Sequence, residues 1–160
     1  MHIHIYSLKQ SYYYIAAGEV DLQRSAAILN SSYPIQTEKL GPIPYVFCQY
    51  DDVEREIPGR SFPLRNGALA VAAFIRSLDD KITDLYCCCD GGCRRSAAVA
   101  CSVMRYWGMD EFSVWGNPAY EPNPLVYKMM CEVLGVPVTD QEVNMRVATS
   151  RLALKNSINH

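Results

Sequence analysis

An α/β sandwich built on a largely parallel central sheet is the fold class this sequence predicts, and three observations carry it. Short apolar runs of strand length alternate along the chain with segments of helical periodicity. The strongest strand candidate, 85–89, meets the strongest helix candidate, 96–107, through a glycine turn, as a strand–helix unit does. The chain has 160 residues, 49% hydrophobic and 20% charged. That suits a single domain over 1–160 with a buried core, and excludes a disordered or fibrous chain.

Each element has its own justification. Residues 2–8 are short, apolar and β-compatible, and 26–30 form a second such run. Residues 45–50 (YVFCQY) predict a clearer strand that runs into the acidic turn Asp51-Asp52. Leu64, Val71, Phe74, Ile75 and Leu78 recur at helical spacing, so 64–78 predicts an amphipathic helix closed by Asp79, Asp80 and Lys81. Residues 85–89 (LYCCC) are uncharged, as a central strand buried on both faces requires. After Gly91-Gly92, a helix over 96–107 aligns Val99, Val103 and Tyr106 or Trp107 on one face. Its Ala97, Ala98 and Ala100 permit close approach to a sheet, and Gly108 is a natural stop. Helices are expected over 122–134, opened by prolines, and over 139–155.

Charge and cysteine usage narrow the function. Fifteen basic and seventeen acidic side chains leave a formal charge of −2, which argues against an indiscriminate nucleic-acid binder. No segment reaches the roughly 18 apolar residues of a membrane span, and Met1, His2, His4 and Tyr6 resemble no secretion signal. Seven cysteines, three of them contiguous (Cys87, Cys88, Cys89), predict a reduced cytoplasmic chain rather than a disulfide framework. No nucleic-acid or membrane partner is expected.

The segment that carries chemistry is Cys89-Asp90-Gly91-Gly92-Cys93-Arg94-Arg95-Ser96. A loop of this length opening a helix can turn backbone N–H groups toward one centre, and the helix dipole adds to their field. Asp90, Gly91, Gly92, Cys93, Arg94 and Arg95 would form a phosphate cradle, with the glycines permitting its backbone angles. Arg95 would close it with a planar fork matched to two phosphate oxygens. Such a field favours a thiolate at the centre, which makes Cys89 the candidate nucleophile. Ser96 would donate a hydrogen bond to the sulfur.

Cys89-x-x-Gly92-x-x-Arg95-Ser96 resembles the signature of the cysteine-dependent protein tyrosine phosphatase superfamily, nearest its small dual-specificity-like bacterial and phage branch. Tyr50-Asp51-Asp52-Val53 is similar to the acid loop of small members, and the alanine-rich helix and Pro122-Asn123-Pro124 stretch are similar too. The resemblance covers about residues 45–134. It implies a phosphatase-like fold and metal-free, cofactor-free hydrolysis of phosphomonoesters, foremost phosphotyrosine in a protein or a small phosphoester. Cys89 would form a phosphocysteine, Arg95 would stabilise the equatorial oxygens, and an aspartic acid would protonate the leaving group. Asp52 matches the second Asp of that turn; Asp51 is the alternative acid.

Two departures from the pattern stand out. Cys88 occupies the position where the family usually has His. Cys88 and Arg94 also offer a competing register, with Gly91 between them but Arg95 in place of the hydroxyl residue. The other reading is a phosphate-binding module without turnover. A zinc site on Cys87, Cys89 and Cys93 is disfavoured by the contiguous spacing, and redox capture of Cys89 by Cys93 or Cys88 rests on proximity. Cys48, Cys87, Cys101 and Cys131 are expected as buried hydrophobes. Arg94 is expected to face solvent and add positive potential, Asp90 to point outward, and Asn123 to orient the loop. Tyr12, Tyr13 and Tyr14 are expected to pack or line a rim, Trp107 and Trp115 to enter the core. His2, His4 and His160 receive no role.

Overall fold

The computed structural model describes residues 1–61 and 65–159. Four strands, β1 (His2–Ser7), β2 (Ser25–Ser31), β3 (Tyr45–Gln49) and β4 (Asp84–Cys89), form one sheet in the order β1-β4-β2-β3. Every pairing is parallel, so the sheet is parallel throughout. Six helices accompany it: α1 (Leu8–Ala16), α2 (Arg65–Arg76), α3 (Arg95–Tyr106), α4 (Phe112–Trp115), α5 (Pro124–Leu134) and α6 (Asp140–Ile158). No helix among the described residues is long and apolar enough to cross a membrane.

Central strands of a parallel sheet are covered on both faces and read as continuous apolar runs. β2 is buried at every position, and Leu85, Cys87, Cys88 and Cys89 of β4 are buried with it. One face packs Ile28, Leu85 and Cys87 against α2, α3 and α5. The other sets Ala27, Leu29 and Cys88 beneath α1 and the 3-10 turn Thr37–Leu40. α3 is buried from Arg95 to Val103, because Ala97, Ala98 and Ala100 let it lie between the sheet and α5.

Element ends depart from expectation by one to three residues. β2 spans 25–31 rather than 26–30, α3 starts one residue early at Arg95, and α6 continues to Ile158. Leu64, the expected start of the second helix, lies outside the described residues, as does His160. Two helices were not foreseen, α1 and α4. The signal for α1 was a capping box. Ser7 Oγ accepts from the Gln10 amide at 3.1 Å, while the Gln10 side chain accepts from the Ser7 amide at 2.8 Å. On α1, Tyr12 and Tyr14 pack in partial burial while Tyr13 stays exposed, and Trp115 is fully buried. Trp107 is half-buried against the core.

α6 is tied down by charge. Glu111, ahead of α4, accepts from Arg146 Nη2 at 2.7 Å and Nε at 3.1 Å, and from Arg105 Nη1 at 3.5 Å. Glu111 and Arg146 are both buried. Breaking a buried ion pair from one side leaves the partner charge uncompensated, at about 3–5 kcal/mol. Glu111→Ala is therefore expected to lower the unfolding free energy by about that amount, read as a shift of the urea midpoint at unchanged slope.

Candidate active site

In a parallel sheet the ligand crevice lies beyond the carboxyl ends of the strands. Here β4 delivers Cys89 to that edge, five residues turn, and α3 begins at Arg95. The turn is fixed by Gly92, whose φ is +73°. A Cβ there would stand 2.3 Å from the Ser7 nitrogen and 2.7 Å from the Tyr6 carbonyl carbon. Only a residue without a side chain lets the loop lie against the end of β1 in this conformation.

The loop converges on one sulfur. Gly92 N–H donates to Cys89 Sγ at 3.2 Å, and Ser96 Oγ lies 3.2 Å from the same atom. The first turn of α3 adds amide groups that have no helical acceptor, and the positive end of its dipole faces the same way.

Arg95 is buried, with 4% of its surface exposed. Its Nη1 donates to the Tyr50 carbonyl at 2.6 Å and to Ser32 Oγ at 3.2 Å, and its Nη2 to Asp90 Oδ2 at 2.7 Å. The Tyr50 ring lies 5.8 Å from the guanidinium carbon. A guanidinium has five N–H donors; these contacts use both on Nη1 and one on Nη2. Nε is buried with no partner. The Nε–H and the second Nη2–H are left without an acceptor among the described residues, and free guanidinium donors can take an oxyanion.

Asp90 corrects an expectation. Rather than pointing outward, its carboxylate turns to the end of β2 and to Arg95. Oδ1 accepts from Ser31 Oγ at 2.6 Å, and Oδ2 from the Ser32 amide at 3.0 Å and from Arg95. Partial burial opposes the charge, but these donors outweigh it and hold the carboxyl below its ordinary range.

Arg94 corrects a second. It is half-buried and clamped by three carboxylates: Asp52 at 3.0 Å from Nε, Glu121 at 2.8 Å from Nη1, and Glu54 at Nη2. Its charge is spent on them rather than offered at the mouth. The competing register fails on geometry, since Arg94 turns to these acids and Cys88 points to the α1 face of the sheet. Burial pushes the Cys88 thiol up to about 12, against a Ser11 hydroxyl that lowers it. That placement also removes Cys88 as a redox partner for Cys89. Burial likewise raises Cys48, Cys87, Cys101 and Cys131, as expected of thiols packed as hydrophobes. Cys93, half-buried on the loop, is raised for the same reason.

The acidic pair divides. Asp51 Oδ2 accepts from the Ser61 amide at 2.9 Å, with Arg60 3.9 Å away. The Ser61 N–H is the main cause of a lowered pKa for Asp51. Asp52, at the exposed rim, takes Arg94 on Oδ2 and the Asn123 amide on Oδ1 at 2.7 Å. Asn123 does orient the surrounding loops. Its side chain also donates to the Val53 carbonyl and caps α5, and its backbone N–H reaches the Arg94 carbonyl.

Cys89, Gly92 and Ser96 thus meet at one sulfur, Arg95 joins the same loop through Asp90, and Asp52 is tied to it through Arg94. Sequence reasoning missed Ser31, Ser32 and the Tyr50 carbonyl, which hold Asp90 and Arg95. Only their place at or just beyond the ends of β2 and β3 could have flagged them. No family model and no curated protein matches the sequence.

Gly92→Ala tests the fit of the loop. The left-handed backbone alone costs about 1–3 kcal/mol for a residue with a side chain, and the clash with Ser7 adds to it. The variant is expected to melt at lower temperature and to lose oxyanion binding measured by calorimetry, whereas Gly91→Ala, whose Cβ would meet only Cys93 Sγ at 3.7 Å, should keep both.

Proposed function

We propose that the chain is a cysteine-dependent phosphomonoester hydrolase, with phosphotyrosine in a protein or a small aryl phosphate as its foremost substrate. One observation carries this reading: the helix that opens after the Cys89 loop begins with a buried arginine whose Nε–H has no partner among the described residues, while the Cys89 sulfur accepts from the Gly92 amide and lies 3.2 Å from Ser96 Oγ. Buried donors without partners are rare in folded proteins and need an explanation. A phosphoryl oxygen supplies one.

The chemistry follows from the same atoms. Cys89 thiolate attacks phosphorus, an S–P bond forms, and the P–O ester bond breaks with its electron pair leaving on oxygen. Asp52 gives that oxygen a proton. The Arg95 fork and the Gly92 amide stabilise the equatorial oxygens as charge spreads over them. Water then attacks phosphocysteine, its proton passes to the Asp52 carboxylate, and the S–P bond breaks. Ser96 donates to the departing sulfur, and inorganic phosphate leaves. No metal or cofactor takes part in this scheme. A nucleophile that must remain a free thiol suits a reducing, cytoplasmic setting.

Asp52 is preferred over Asp51 as the acid, because it lies against Arg94 of the Cys89 loop while Asp51 turns to the Ser61 amide. One observation favours a second reading. Both Asp52 oxygens are engaged, by Arg94 and Asn123, and a carboxylate that stays so engaged would leave a phosphate-binding module that does not turn over.

Phosphate release from para-nitrophenyl phosphate with chelator present separates the two readings. Activity is expected, and Cys89→Ser and Arg95→Ala should each reduce it by more than about 10³-fold. Cys88→Ser should keep most of it. Wild-type protein that binds phosphotyrosine analogues but never releases phosphate would establish the binding module instead. Loss of activity in Cys88→Ser with retention in Cys89→Ser would move the nucleophile.

A separate series tests the acid. General-acid catalysis is worth about 10²–10⁴-fold where the leaving group needs a proton. Asp52→Asn is expected to slow phosphotyrosine hydrolysis by that order, and to slow esters of strongly acidic phenols far less. An unchanged rate on phosphotyrosine would reassign the role to Asp51 or elsewhere.

A further inference from the structure

The loop contains a feature that an anion cradle should avoid, a carboxylate at its first position. We propose that Asp90 is a positioning residue for Arg95: it fixes the guanidinium plane so that Nε–H and the free Nη2–H face the bound oxyanion. The role deepens the phosphatase reading for turnover, while oxyanion binding tests it apart from turnover.

The geometry is a closed ring. Asp90 Oδ2 accepts from Arg95 Nη2 and from the Ser32 amide, and Ser32 Oγ accepts from Arg95 Nη1. Ser31 Oγ occupies Asp90 Oδ1 and locks the carboxylate rotamer from the other side. Asp90 is therefore anchored to the end of β2 before it touches Arg95. Its contact with the guanidinium is charge-assisted, the stronger class of hydrogen bond.

Removing the carboxylate has a definite consequence. Nη2 would lose its acceptor, and the plane would be held only along Nη1 by Tyr50 and Ser32. Asp51 is a second carboxylate that feels Arg95 electrostatically, and it lies in the loop that follows β3. A guanidinium released from Asp90 would turn toward it, carrying the fork off the cradle. Asp90 also offsets the Arg95 charge. Affinity for the oxyanion then depends on the aim of two N–H groups more than on net positive potential.

The experiment uses the full chain with Asp90→Ala, Asp90→Asn and Ser31→Ala. Calorimetry reads tungstate binding, para-nitrophenyl phosphate gives kcat and KM, and iodoacetamide alkylation of Cys89 reads the sulfur itself. A misdirected fork should weaken tungstate binding about 10–100-fold in Asp90→Ala, the worth of a hydrogen bond to a charged group. The kcat/KM should fall at least as far, while the alkylation rate stays within about threefold, well under the effect of one charged hydrogen bond. Asp90→Asn, which keeps an oxygen for Arg95 and an amide for Ser31, should recover part of the loss. Ser31→Ala, which keeps the carboxylate and frees its rotamer, should lose less than Asp90→Ala. If Asp90→Ala does not fold, the other two variants decide. Tungstate affinity unchanged in a folded variant overturns the role, and so does an alkylation rate that falls in step with binding. Wild-type protein that binds tungstate without hydrolysing any monoester would remove the phosphatase reading and leave the positioning role to be judged on binding. Wild-type protein that binds no tungstate removes both.

Discussion

Arg95 is a cation taken almost wholly out of water, and the end of the sheet is arranged around that cost. An isolated buried guanidinium is penalised by several kcal/mol. It is tolerated here because three strands each supply an acceptor where they end: Ser32 after β2, the Tyr50 carbonyl after β3, and Asp90 after β4. The register makes this convergence possible. Asn30 pairs with Cys89, which puts Ser31 beside Asp90, and Ser31 pairs with Gln49, which puts Tyr50 next in line. Tyr50 is secured further by its amide on the Ser31 carbonyl and its hydroxyl on Asn30. A slip of one residue would exchange the two faces of β2 and strip Arg95 of its partners at once. The arginine thus depends on the register, and the loop depends on the arginine.

What could be read from the sequence was local. Residues 85–107 carry strand, glycine turn and helix in one run, so Cys89, Gly92, Arg95 and Ser96 could be placed together at a strand–helix junction. The α/β class followed from the alternation of periods, and element ends were displaced by a few residues at most. The rest required tertiary contacts. Ser31 and Ser32 carry no motif, and the Tyr50 carbonyl is a backbone atom with no side-chain identity to read. Asp90 was misjudged because a carboxylate considered alone in an anion loop is repelled. Paired with Arg95 and two serine donors, it is held there. α1 escaped notice because its tyrosine run is a weak helix signal, although Ser7 and Gln10 already spelled its cap.

Arg94 and Arg95 show how strongly local geometry divides like residues. Arg94 caps α3 at φ −114° and ψ −73° and faces the loops after β3 and before α5. Arg95, the first helical residue, turns under the sheet edge. Two adjacent guanidiniums repel, and three carboxylates around Arg94 relieve that repulsion. Arg94 becomes a fastener. It joins Asp52 and Glu54 to Glu121, while its carbonyl accepts the Asn123 amide that closes the same junction. The loop after β3 and the loop after β4 are thus coupled through one side chain.

The three contiguous cysteines follow from the same alternation that builds the sheet. Successive side chains on β4 point to opposite faces, so Cys87 enters the helix-covered core and Cys88 the α1 side. Both are sealed from solvent with raised pKa values, caused first by burial. A thiol in either place is a small hydrophobe. Cys89 differs in what its sulfur meets, since the strand ends there and the next backbone N–H groups belong to a turn rather than a ladder. Cys88 faces the α1 side of the sheet, away from the Cys89 sulfur's partners. Gly92 N–H donates to that sulfur and Ser96 Oγ lies 3.2 Å from it. The chemistry proposed for this sulfur rests on those two contacts.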